Sequence, residues 1–279
     1  MTSPYRIEGP ALISFSGGRT SAFMLHEIIK AHGGQLPDDV VVAFANTGKE
    51  REETLRFVFE CGSRWGVLIH WLQWLPRKPG FEEVGYNSAA RNGEPFRDLI
   101  DRKQRPPNHM QRYCTEHLKV RTLMAFAASL GWTSYLEVIG LRYDEGHRIL
   151  KGLANAEKHG RRNSYPLSKA KVRKADVMEF WASQPFDLGL KPWEGNCDLC
   201  FLKGRRIRER IIRDQPDAVD WWITQETTPR GGKGVTGWFD KDISFAALAD
   251  YVRRSPLLFD EIGDGGHDVE CGLHCGGGE

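Results

Sequence analysis

The residues best equipped for chemistry sit together near the start of the chain. Ser16-Gly17-Gly18-Arg19-Thr20-Ser21 follows the apolar run Ala11-Leu12-Ile13 and precedes the apolar stretch Ala22 to Ile29. A strand that breaks at two glycines and restarts as a helix aims unpaired backbone N–H groups outward at the helix N-terminus, where the helix dipole also favours an anion. Hydroxyls at Ser14, Ser16, Thr20 and Ser21 and the Arg19 cation surround this turn, so the phosphates of a nucleotide fit it. The spacing differs from the P-loop of kinases and GTPases, which needs a longer interval before a Gly-Lys pair. An ordinary glycine-containing turn between strand and helix is the plain alternative.

Six cysteines form the second set: Cys61, Cys114, Cys197, Cys200, Cys271 and Cys275. In a reducing compartment they read as metal ligands or reactive thiols more readily than as disulfides. Cys61 lies in an apolar helical stretch beside Phe57 and Phe59, where a small buried thiol is the common case. Cys197-Asp198-Leu199-Cys200 is a CxxC that suits a zinc half-site, a redox pair or an iron–sulfur site. Cys271 and Cys275, four apart in a glycine-rich tail, suit a disulfide relay, metal chelation, or one role each as ligand and nucleophile.

Strands alternating with helices must position these groups. Val40 to Ala45, Val67 to Leu72 and Tyr135 to Leu141 read as strands, and Leu118 to Leu130 as a helix closed by Gly131. That order predicts an α/β fold, a Rossmann-like, mostly parallel sheet flanked by helices, with ligands outside the carboxyl ends of the strands. Residues 76–112, rich in Pro, Gly, Arg and Asn, break the alternation as a long connection. Helical pattern returns from Asp176 to Trp181, and composition shifts after Pro185. The expected division is a nucleotide-binding domain over 1–185 and a C-terminal region over 186–279.

The whole chain has 39 Lys and Arg against 37 Asp and Glu, so its near-neutral balance gives no general bias toward polyanions. Locally the balance tips: residues 142–213 hold 17 Lys or Arg against 9 Asp or Glu. Such a block can grip a nucleic-acid backbone, surround an anionic cofactor, or be a solvated helix face. Trp193, Phe201, Trp221 and Trp222 nearby could stack on bases, although burial is the commoner fate of tryptophan. No apolar run approaches the ~20 residues that span a bilayer, and no signal-peptide pattern opens the chain, so the expectation is a cytoplasmic protein without a membrane partner.

Four segments arrive in a telling order: the Ser16–Ser21 loop, Ala45-Asn46-Thr47-Gly48-Lys49-Glu50-Arg51-Glu52-Glu53-Thr54, Tyr113-Cys114-Thr115-Glu116-His117-Leu118-Lys119-Val120, and Gly140-Leu141-Arg142-Tyr143-Asp144-Glu145-Gly146-His147-Arg148. The chain resembles the phosphoadenosine phosphosulfate (PAPS) reductase family of the PP-loop ATP pyrophosphatase superfamily over about residues 10–205. The loop matches SGGxTS. The later landmarks approximate DTGxxFPET, CxxxLKxxP and GxRxxES followed by Arg, with departures at Asn46 and Gly146 and no proline after Val120.

The resemblance implies an adenine nucleotide alpha hydrolase-like fold. Ser16, Gly17, Gly18, Arg19, Thr20 and Ser21 would hold phosphates, with Asn46, Thr47 and Gly48 near the nucleotide. Lys119, Arg142 and Arg148 would neutralise polyphosphate or leaving group. Iron–sulfur members carry a Cys-Cys pair at the third landmark and a later CxxC, which implies a 4Fe-4S cluster on Cys114, Cys197 and Cys200. Tyr113 replaces the fourth ligand, so Cys271 or Cys275 would complete the set, or one iron would stay open; zinc held with a histidine is the alternative. The Glu270-Cys271-Gly272-Leu273-His274 segment resembles the nucleophile motif of sulfonucleotide reductases.

The complete loop favours ATP with Mg2+, cleaved between the α and β phosphates so that an adenylated oxygen on a nucleic acid or base-like acceptor can be replaced by sulfur. A PAPS or adenylylsulfate reductase releasing sulfite, with Cys271 as nucleophile, is the alternative. A cluster-bearing nucleic-acid sensor is a third. The implied partners are RNA or DNA, a cysteine desulfurase or thioredoxin-type protein, and a second copy in a homodimer.

Overall fold

The computed structural model describes residues 3–255 except 233 and 236. Its elements are β1 (Ala11–Ser14), α1 (Arg19–Ala31), β2 (Val40–Asn46), α2 (Glu52–Trp65), β3 (Ile69–Trp74), β4 (Phe81–Val84), α3 (Glu94–Lys103), α4 (Tyr113–Thr115), α5 (Thr122–Ser129), β5 (Leu136–Ile139), α6 (Gly146–Lys158), β6 (Arg162–Ser164), α7 (Pro166–Lys169), α8 (Lys174–Ala182), α9 (Arg205–Asp214), α10 (Asp220–Thr227) and α11 (Phe245–Arg254). A π-helical segment, Glu116–Arg121, joins α4 to α5.

The sheet runs β4-β3-β2-β1-β5-β6, parallel throughout except for β4 at the edge. The fold is α/β and Rossmann-like. Successive strand side chains point to opposite faces, and both faces here are apolar, as a sheet covered on both sides requires. Ile13, Val42, Phe44 and Val138 pack on one side in a cluster that includes Met24 and Leu25 of α1 and Phe57 and Val58 of α2. Leu12, Ala43, Ala45, Leu72 and Ile139 pack on the other with Leu123 and Phe126 of α5. The chain leaves β1 toward β2 and β3 and returns to β5 on β1's other side. That reversal opens a crevice at the carboxyl ends of β1 and β5, where such sheets bind ligands.

The sequence places β1, β2 and β5 well and β3 slightly early. The 76–112 connection is more structured than expected. It holds β4, whose Phe81–Val84 pairs antiparallel with β3, and α3, which starts on Pro95 and buries Phe96, Leu99 and Ile100 at helical spacing. Cys61 is fully buried in α2, and burial pushes its thiol well above the usual range.

A third cluster joins distant segments. Trp74, Phe96, Leu99, Ile100 and Leu118 pack with Leu199, Phe201, Ile207, Ile211, Trp222, Phe239, Phe245 and Leu248. Polar contacts lock it: Arg208 pairs with Asp240 inside it, and Glu226 accepts the N–H groups of Phe239 at 3.0 Å and Phe245 at 2.7 Å. Burial raises the Glu226 carboxyl to about 7 despite those bonds.

Candidate functional site

The Ser16–Ser21 loop leaves β1 and enters α1 as expected. Gly17 has φ +78°, and a Cβ there would stand 2.7 Å from Thr54 Cγ2, so both backbone and packing require glycine. Gly18 caps α1 with extended geometry and no side-chain hydrogen bond. The start of the helix, at Gly18 and Thr20, lines a cleft. Ser21 Oγ accepts the Ser16 N–H at 3.2 Å, stands 2.9 Å from Ser16 Oγ and donates to the Gly18 carbonyl. The hydroxyls therefore shape the loop first.

The cations are held by acidic partners. Arg19, which lines the cleft beside the loop, grips Asp187 through Nε at 2.7 Å and Nη2 at 2.5 Å. Burial works against the Asp187 carboxyl, but the arginine bonds and charge carry it below the usual range. Arg142, buried at the end of β5, donates to Thr20 Oγ1 at 3.0 Å and is steadied by Asp144 at 3.1 Å and Glu145 at 3.6 Å. Arg148 reaches Glu145. Lys119 stands 3.9 Å from Glu50. A cleft beside the α1 N-terminus is lined by Gly18, Thr20, Arg142, Lys174 and Lys203, with Val177, Leu188 and Trp193 as apolar wall. Lys174 and Lys203 belong to the basic block of the sequence, but nothing in their local spacing singles them out, because α8 and the chain after the CxxC reach the cleft only through the fold.

The loop after β2 is a buried polar knot. Asn46 Nδ2 donates to Gln73 Oε1 and the Ala90 carbonyl, while its Oδ1 accepts the Gly48 N–H. Glu50 accepts the Thr47 N–H and hydroxyl at 2.8–2.9 Å. Burial raises the Glu50 carboxyl above its ordinary value against the pull of Lys119 and Thr47. Asn46, Thr47 and Gly48 thus form a stiff turn at the end of β2.

This knot also holds the CxxC. Glu50 bridges Cys197 in an antiparallel pair, Arg51 N–H bonds the Asn196 carbonyl, and Asp198 N–H bonds the Lys49 carbonyl, both at 2.9 Å. Lys49 pairs with Asp198 at 2.7 Å, which also accepts from Trp222 Nε1 at 3.0 Å. Asn196 Nδ2 donates to the Ser16 carbonyl at 2.6 Å, linking the CxxC segment and the Ser16–Ser21 loop directly.

With that geometry in place, relatives can be weighed. The uncharacterized nin region protein ORF290 of Escherichia phage lambda is 31% identical over 214 residues, covering 73% of this chain and 70% of its own length. The chain belongs to that protein's family. An uncharacterized protein of Methanocaldococcus jannaschii, MJ0066, is 29% identical over 147 residues, 52% of this chain but 26% of its own length. No protein-family model matches. Among solved structures, the U34-tRNA thiolase NcsA from Methanococcus maripaludis with its 4Fe-4S cluster aligns at 10% identity and TM-score 0.34 over 87% of this chain and 80% of that one. A likeness that slight carries no conclusion about this chain.

The expected ligand set falls partly outside the described residues. Cys114 packs beside the third cluster and Cys200 is buried, yet among the described residues no group of three or more His, Cys, Asp or Glu side chains is placed to hold a metal ion. Tyr113, where a fourth ligand was expected to be replaced, is buried with its hydroxyl on the Arg105 carbonyl. Cys271 and Cys275 lie outside the described residues.

The basic block is mixed: most of its Lys and Arg side chains are exposed, and several are paired with acids. Arg208 pairs with Asp240, Arg210 and Lys191 with Asp214, and Arg205 with Glu209, while Arg213 donates to the Ser255 carbonyl. Trp222 and Phe201 are core residues. Among the described residues no helix is long and apolar enough to cross a membrane.

Proposed function

We propose that this chain is a PP-loop ATP pyrophosphatase of the kind its PAPS reductase-like landmarks suggest. It binds ATP over the α1 N-terminus and transfers the adenylyl group to an acceptor oxygen. That oxygen attacks the α phosphorus, the bond to the bridging oxygen breaks, and pyrophosphate leaves. The supporting observation is the glycine-shaped start of α1 at the β1/β5 crevice, lining one cleft with Arg142, Lys174 and Lys203. Backbone N–H groups there need no reorganisation to receive phosphate, and preorganised cations in a partly dry cleft stabilise charge growing on the leaving group. Arg142 is the best placed, because Thr20, Asp144 and Glu145 fix its guanidinium. A nucleic acid or base-like molecule is the acceptor class, with replacement of the activated oxygen by sulfur as the chemistry adenylation would serve.

The test is product analysis with radiolabelled ATP. AMP or an adenylated acceptor together with pyrophosphate is expected, and Arg142→Ala should slow its formation by about 100-fold. ADP and phosphate as products would refute the assignment. Sulfite released from a sulfonucleotide without ATP consumption would give the site to the reductase instead.

A further inference from the structure

We propose that Lys203 is a phosphate-binding cation of the nucleotide cleft and that, through it, nucleotide occupancy and the conformation of residues 196–203 are one coupled event; this rests on the nucleotide reading above. Lys203 follows the CxxC by one turn of chain and is almost fully buried. Its Nζ donates to the Cys197 carbonyl at 2.9 Å and the Asp198 carbonyl at 3.3 Å, while the side chain lines the same cleft as Gly18, Thr20 and Arg142. An ammonium has three donors, and these two bonds account for two of them. A buried cation is expensive unless anions face it; burial outweighs the pull of Cys200, Cys197 and Asp198 on this ammonium, and a polyphosphate at the α1 N-terminus would add the charge that offsets it.

The same short segment touches the phosphate loop at a second point, where Asn196 holds the Ser16 carbonyl. It is also stitched to the β2 loop by the 49–51/196–198 ladder. Phosphate bound at the loop therefore meets a cation whose other bonds fix the backbone of both Cys197 and Asp198. Any ligand that draws on Lys203 must favour one arrangement of that backbone, and by linkage whatever displaces the backbone must weaken the ligand equally.

The experiment combines calorimetry with hydrogen exchange on the full chain, using Mg2+ and ATP whose α,β-bridging oxygen is replaced by methylene. In the wild type, saturation should slow exchange at the Arg51 and Asp198 amides at least severalfold. Lys203→Met should weaken binding about tenfold or more and abolish that slowing at saturation, while Lys203→Arg should recover affinity. Unchanged exchange on saturation, or K203M binding within about twofold of wild type, overturns the proposal. If K203M does not fold, the wild-type exchange result decides alone. Absence of any binding by the wild type overturns the nucleotide assignment and this coupling together, whereas binding without coupling overturns only the latter.

Discussion

Gly17 shows how strongly a single position can be constrained. Its φ of +78° and the 2.7 Å approach to Thr54 leave no room for a methyl group. Gly17→Ala should cost about 1–2 kcal/mol from the left-handed backbone alone, and more from the clash, measured by denaturant unfolding. Glu226 makes a different kind of prediction. Its carboxyl is raised to about 7 in the folded chain, so between its ordinary value near 4.5 and about 7 the folded state keeps a proton that the unfolded state has lost. Stability from this group is therefore greatest below that window and falls as pH rises through it, by something on the order of 2 kcal/mol. Melting temperature followed from pH 4.5 to 8 should show the decline, and Glu226→Gln should flatten it while lowering stability overall, because an amide can serve only one of the two N–H donors. The Ser16–Ser21 turn was legible in the sequence because two glycines and their hydroxyl neighbours encode a local backbone shape. Lys174 and Lys203 were legible only as members of a basic block, since their place in the cleft exists only where distant segments meet.

Elements reveal a second kind of legibility. Strands β1, β2 and β5 announced themselves as β-branched or apolar runs. By contrast, α3 hid in a connection whose prolines and glycines masked the spacing of Phe96, Leu99 and Ile100. The basic helix α9 is mixed, with Arg205 and Arg206 exposed; charge along a sequence does not say whether a partner waits inside. Arg208 found Asp240 in the core. Arg208→Met should be tolerated better than Asp240→Ala, because the latter strands a buried guanidinium at a cost of about 3–5 kcal/mol, readable by chemical denaturation. The π-helical segment carries Lys119 toward Glu50, and the sequence expectation of a regular helix from Leu118 could not foresee the extra residue in that turn.

At the scale of the molecule, the expected division after residue 185 meets a shared interior. Trp74, Phe96, Leu99 and Leu118 pack against Phe201, Trp222, Phe239 and Phe245. A fragment ending at residue 185 should expose the first set and aggregate, as light scattering would show; a soluble, cooperatively melting fragment would contradict the shared core. Trp222→Ala in the full chain should cost about 3–5 kcal/mol in unfolding free energy. The ladder between residues 49–51 and 196–198 has a consequence in time. It closes a loop of roughly half the chain, and contacts so remote in sequence must await the entropy of closure before they repay it. During refolding the sheet should regain its circular dichroism first and ligand affinity later. A ribosome would release the nascent phosphate loop well before synthesising the segment that braces it.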